Sequence, residues 1–121
     1  MKYIRIYADP AGESHFEDVE VQLAQVDFAP PAPPWNFSSF SPALQYAFCS
    51  FPAGWRGDWH PVPRRHIFFV ISGEIAVQAS DEEVRHFRAG GLLLAEDTEC
   101  KGHVTWVVSK TDLVAAVVHL P

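Results

Sequence analysis

Two of the six histidines in this 121-residue chain, His60 and His66, stand six residues apart around an irregular stretch. His60 lies in Gly54-Trp55-Arg56-Gly57-Asp58-Trp59-His60-Pro61-Val62-Pro63, where two glycines and two prolines fix a non-repetitive backbone. His66 opens His66-Ile67-Phe68-Phe69-Val70-Ile71, the most apolar strand-type run of the sequence. An imidazole at the mouth of a buried strand must find a partner or stay neutral. A metal ion is one partner that satisfies it. His103 follows Lys101-Gly102 and opens the run from Val104 to Ser109 in the same way. Three imidazoles at strand mouths are a donor set for an open Zn, Fe, Mn, Ni or Cu site. His86 belongs to the polar alternation of Val84 to Arg88, and His15 and His119 lie near the ends. No role is expected of these three.

Other side chains near the histidines supply pocket chemistry. Asp97 is placed to orient an imidazole from behind. Cys100 is either a ligand or redox thiol, or a small buried residue. Trp59 and Phe68, with Trp55, Phe69 and Trp106, either line a pocket for an aromatic or apolar ligand or belong to core and dimer interface. Arg64 and Arg65 offer a substrate carboxylate a bidentate partner, or form surface salt bridges. Asp58 and Glu96 are further polar neighbours.

The elements that position these residues are short and β-type. Lys2 to Tyr7 alternates, and Phe16 to Phe28 alternates with Val19, Val21 and Leu23 on one face. Ala29 to Pro34 is proline-rich and is expected to be an extended, stiff crossing segment. Seven further runs follow: Ala43–Phe51, His66–Ile71, Glu74–Ala79, Val84–Phe87, Leu92–Ala95, Val104–Ser109 and Leu113–Leu120. Gly-, Pro- and Asp-bearing breaks separate them. Roughly ten closely spaced strands predict a sandwich or barrel. Ser39 to Ala47 is the one stretch with a weak helical pattern.

Composition narrows the function classes. Hydrophobic residues make up 48% and charged residues 20%, enough for one packed core and against disorder. The net charge of −6 and the single basic pair Arg64-Arg65 exclude a nucleic-acid groove. Two isolated cysteines predict reduced thiols in a cytoplasmic protein. No apolar run is long enough to span a membrane.

The spacing from Gly54 resembles the first motif of the cupin superfamily: Gly, five residues, His, one residue, His, three or four residues, Glu, six residues, Gly. Gly54 is followed after five residues by His60, Val62 stands at the second His, His66 stands at the Glu, and Gly73 closes the motif. The second motif is similar at Gly90. Glu96 and Thr98 stand at its Pro and second Gly, and His103 lies two residues late. The run Leu93-Leu94-Ala95-Glu96-Asp97-Thr98 before Gly102-His103 is similar to small bacterial single-domain cupins.

The resemblance implies an all-β, double-stranded β-helix (a jelly-roll barrel) with little or no helix. It implies one domain over 1–121, with the core barrel at about 43–120 and extra strands in 1–42. It carries a ligand role onto His60 and His103. With Val62 unable to ligate and His66 at the Glu position, it implies a three-histidine site without a carboxylate. Two function classes follow. The first is a mononuclear protein using a divalent transition metal (Fe, Zn, Mn or Ni) on a small molecule, as in a dioxygenase-like oxidoreductase. The second is a metal-free ligand-binding or sensor barrel. The expected partners are a small-molecule ligand and a second copy in a homodimer, with no nucleic acid and no membrane.

Overall fold

The computed structural model describes residues 1–121 and contains eleven strands and no helix. They are β1 Lys2–Ala8, β2 Ser14–Glu20, β3 Ala24–Val26, β4 Trp35–Phe37, β5 Gln45–Phe51 and β6 His66–Ser72. The others are β7 Ile75–Ala79, β8 Val84–Phe87, β9 Leu92–Glu96, β10 His103–Val107 and β11 Leu113–His119. A six-stranded sheet runs β2-β1-β9-β6-β11-β5, and a three-stranded sheet runs β10-β7-β8. The two enclose the core, and β3 and β4 form a separate hairpin. This is the jelly-roll barrel that the cupin resemblance implies.

Period-two alternation decides what faces inward. In β6 Phe68 and Val70 are buried while Ile71 is exposed. In β11 Leu113 and Ala115 are buried. These residues join Ile6, Val62, Ile75, Val77, Phe87 and Leu93 in one cluster. Each fully buried aliphatic side chain contributes about 1.5–3 kcal/mol. The β6–β7 hairpin turns at Gly73, whose φ is +82°. A Cβ there would lie 2.8 Å from the Asp112 carbonyl oxygen, so only glycine fits.

Three sequence expectations change. The run from Phe16 to Phe28 is not one strand: β2 ends at Glu20, and β3 resumes at Ala24 in a different sheet. Alternation cannot register a change of partner strand. The proline-rich segment is not an extended rod. It turns between β3 and β4 through a cis Pro30–Pro31 bond, with the Ala32 N–H donating to the Ala29 carbonyl at 2.9 Å. Ser39 to Ala47 holds no helix, and its second half is the start of β5.

Candidate functional site

Between the two sheets lies a cavity of about 320 Å³. Its walls are mostly apolar, including Phe51, Trp55, Val62, Phe68 and Val117, and His60, His66 and His103 are on its lining. The Phe51 and Trp55 rings stack at 4.5 Å.

Each histidine arrives by a different route. His66 falls on the inner face of β6, in the rung that pairs it with Ala95 on one side and His119 on the other. His103 begins β10 and is 8% exposed. His60 belongs to no strand, but it forms an isolated antiparallel bridge with His103. The two exchange both backbone hydrogen bonds, at 3.1 and 3.0 Å. Residues paired in this way show their side chains on one face, and the two rings lie 5.0 Å apart.

All three imidazoles are held by the same edge. Nδ1 of His60 lies 2.7 Å from the Asp58 carbonyl, and Nδ1 of His66 lies 2.9 Å from the Arg64 carbonyl. Nδ1 of His103 lies 2.5 Å from Asp97 Oδ2. A carbonyl oxygen only accepts, so in His60 and His66 the proton is on Nδ1, and an ionised Asp97 makes the same demand of His103. The neutral ring then carries its lone pair on Nε2, the opposite edge. Burial, followed by the nearby His119 and His103, holds the His66 imidazole below its ordinary value despite the Arg64 carbonyl.

Asp97 lies behind His103. It is completely buried, its Oδ1 has no partner, and its own carbonyl accepts from the Val62 N–H at 3.2 Å. One residue therefore orients His103 and pins the segment between His60 and His66.

The remaining expected pocket residues are dispersed. Phe68 and Trp55 line the cavity. Trp59 is half exposed, over a separate hollow with Ser80 and Lys101. Arg64 is exposed and contributes its carbonyl. Cys100 is turned to the Asp97 carbonyl and the Gly102 N–H. Phe69 is the partner of Leu92 and Ala116 on the outer rung of the six-stranded sheet. Trp106 carries the Arg56 guanidinium over its ring at 4.6 Å. Arg65 is bound to Glu96, which Arg5 also holds, at 2.5 and 2.6 Å. The Arg65 guanidinium is therefore already engaged by a carboxylate.

The sequence passed over His119, whose ring lies 6.2 Å from that of His66. It also passed over Cys49, Thr105 and Val117, which line the cavity. The signal for these was inward alternation within their strands.

The donor chemistry of three δ-tethered imidazoles suits a borderline divalent ion. Their separation does not yet form a site, because no group of three or more His, Cys, Asp or Glu side chains is gathered at metal-holding distance. On the cavity lining, the His60 and His103 rings lie 5.0 Å apart.

No helix of the structure is long and apolar enough to cross a membrane. No family model and no curated protein matches the chain. Among solved structures it is similar to the cupin domain of Schizosaccharomyces pombe Cnp3, at 13% identity and a TM-score of 0.48 over 89% of this chain and 73% of that one.

Proposed function

We propose that the barrel binds a small, mainly apolar molecule whose hydrogen-bond donor, such as a phenolic hydroxyl, meets the imidazole edges of His60, His66 and His103. One observation carries the reading: a mainly apolar cavity whose polar lining, beside Thr105 and Cys49, is three histidines whose Nδ1 atoms are already engaged. A lone pair at Nε2 accepts from a ligand N–H or O–H, and the apolar wall favours the rest of the ligand. The cavity suits a single-ring compound, at the small end of ligand sites. Titration with phenol and catechol, followed by calorimetry, tests this. Binding that is lost in Val117→Phe, which fills the cavity, and weakened about tenfold in His103→Ala supports it. Equal binding by wild type and Val117→Phe overturns it.

A second reading places a divalent metal (Fe, Zn, Mn or Ni) on His60 and His103, with His66 as a third donor. It is favoured by the backbone pairing that sets two imidazoles side by side. A bound ion would supply Lewis-acid polarisation of a chelating substrate, and a redox-active one such as Fe would in addition be needed for a dioxygenase-like activity with O₂ as the oxidant. In either reading Asp97 holds the His103 ring. Metal analysis after reconstitution decides between the two. Stoichiometric metal in wild type that is lost in His60→Ala and His103→Ala supports this reading, and its absence leaves the metal-free binder.

A further inference from the structure

β3 and β4 form a sheet of their own, and none of their residues joins the core cluster. An isolated two-stranded hairpin is marginal in water and gains from a surface to pack on. This one carries its apolar side chains outward. The rings of Phe28, Trp35, Phe37 and Phe40 form one connected group. Phe28 lies 5.1 Å from Trp35 and 4.9 Å from Phe37, and Phe37 lies 5.4 Å from Phe40. Phe28 is 53%, Trp35 49% and Phe40 79% exposed. Val26, which pairs with Trp35 in the hairpin, is exposed as well. None of the four rings lines the barrel cavity, so this surface is independent of ligand binding there.

The hairpin tip differs from an ordinary solvated loop in two ways. From Phe28 to Trp55 the chain has no Asp, Glu, Lys, Arg or His, although 20% of the whole chain is charged. The backbone of the tip also offers few donors. The prolines at 30, 31, 33 and 34 have no N–H. The Ala32 N–H is given to the Ala29 carbonyl at 2.9 Å, and the Phe28 N–H to the Val26 carbonyl at 3.0 Å. Both features lower the cost of taking this segment out of water.

We propose that the tip of the β3–β4 hairpin seats on a zwitterionic lipid surface, with Phe28, Trp35 and Phe40 in the boundary between headgroups and acyl chains. Tryptophan and phenylalanine are at home in that boundary. With aromatic side chains of about 150–250 Å², the exposed parts of these three rings present roughly 400 Å². A stable protein partner takes about 800 Å² from each side, with a polar rim and about one hydrogen bond per 100–200 Å². The tip has neither that area nor those donors, whereas a lipid boundary asks for neither. Charge selects the lipid. The stretch from Phe28 to Trp55 has no Lys or Arg for an anionic headgroup, and the net charge of the chain is −6. Neutral phosphatidylcholine therefore suits the tip, and anionic phosphatidylglycerol does not. The contact lies on the membrane and does not span it.

Flotation of the full chain with phosphatidylcholine vesicles tests the proposal, with circular dichroism to monitor folding. Wild type is expected to float with the vesicles. Phe28→Glu combined with Trp35→Glu is expected to lower the bound fraction at least about tenfold. Should that variant unfold, Phe40→Glu changes the most exposed ring and is expected to weaken binding in a folded protein. Bromine-labelled phosphatidylcholine is expected to quench the tryptophan fluorescence of wild type more than that of Trp35→Phe. A wild type that does not float with phosphatidylcholine, or flotation that survives both glutamate variants, overturns the proposal. So does binding that requires phosphatidylglycerol. A lipid-free dimer in sedimentation velocity that Phe40→Glu dissociates also overturns it, and would assign the tip to a second copy of the chain.

Discussion

His60 and His103 form a two-residue β-bridge, and Gly102 is the reason they can approach so closely. A Cβ on Gly102 would lie 2.1 Å from both the carbonyl carbon and the carbonyl oxygen of His60, and the φ of Gly102 is +80°. Backbone occupies that space and no rotamer relieves the overlap. Gly102→Ala is therefore expected to cost about 3 kcal/mol or more, as the sum of left-handed strain and a displaced segment. The bridge should open with it. Urea unfolding gives the cost, and the phenol and metal titrations are expected to fail together in whatever folded fraction remains. Wild-type stability in Gly102→Ala would show that the segment moves freely and that the bridge does not define the site.

The barrel was legible from sequence because its strands are short, alternating and separated by turn residues. Seven runs from Ala43 onward match observed strands within a residue or two. The site was legible where motif spacing located it: His60, His66 and His103 line one cavity. It was less legible in what surrounds them. Trp59, Arg64 and Cys100 are close in sequence to the histidines, but they lie in loops outside the strands and do not line the cavity. Val117 and Cys49 are distant in sequence and enter through the register of β5 with β11, which no local pattern encodes. The N-terminal third was hardest, because the break at Glu20 and the turn at Pro30–Pro31 follow from which sheet each segment joins.

Asp97 should set the tautomer of His103. The imidazole has one carboxylate oxygen at 2.5 Å, and that carboxylate is sealed from solvent. Removing it in Asp97→Ala leaves Nδ1 without a partner and is expected to cost about 2 kcal/mol. Asp97→Asn keeps an oxygen acceptor and should keep the ring state. Nitrogen-15 shifts of the His103 ring are expected to show the Nδ1–H form in wild type and in Asp97→Asn, and a tautomer mixture in Asp97→Ala. An unchanged ring spectrum in Asp97→Ala would remove Asp97 from its orienting role.

Val62 occupies the place where the cupin pattern has its second histidine, and it lies buried on the cavity lining. Val62→His should therefore put a fourth imidazole beside the other three. If the cavity suits a metal, this change is expected to tighten zinc or nickel binding at least about tenfold, equivalent to one added ligand of about 1.4 kcal/mol. Burying the ring in place of an aliphatic side chain should lower unfolding stability by about 1–2 kcal/mol. Competition with a chromophoric chelator measures the first effect and urea unfolding the second. Unchanged metal affinity in a folded variant would count against the metal reading and leave the hydrogen-bonding one.

His15 links two distant turns electrostatically, and its effect should depend on pH. Its Nε2 lies 2.6 Å from Asp9 Oδ2 in the β1–β2 turn, and its Nδ1 lies 2.8 Å from Asp81 Oδ2 in the β7–β8 turn. Hydrogen bonding to Asp9, then to Asp81, raises the imidazole above its ordinary value of 6.5. The folded state therefore binds the proton more tightly than the unfolded chain does. The resulting stability is fully present below pH 6.5 and declines as pH rises through the raised folded value. The site is partly open to solvent, so the contribution is about 1 kcal/mol. His15→Gln keeps hydrogen-bonding capacity without the charge. Its stability deficit relative to wild type is expected to be largest near pH 5.5 and to shrink toward pH 9, where both chains are neutral at this position. Urea unfolding of the two proteins across that range checks it, and a deficit that stays constant or grows with pH would mean that the two carboxylates do not act on His15 as a charged pair.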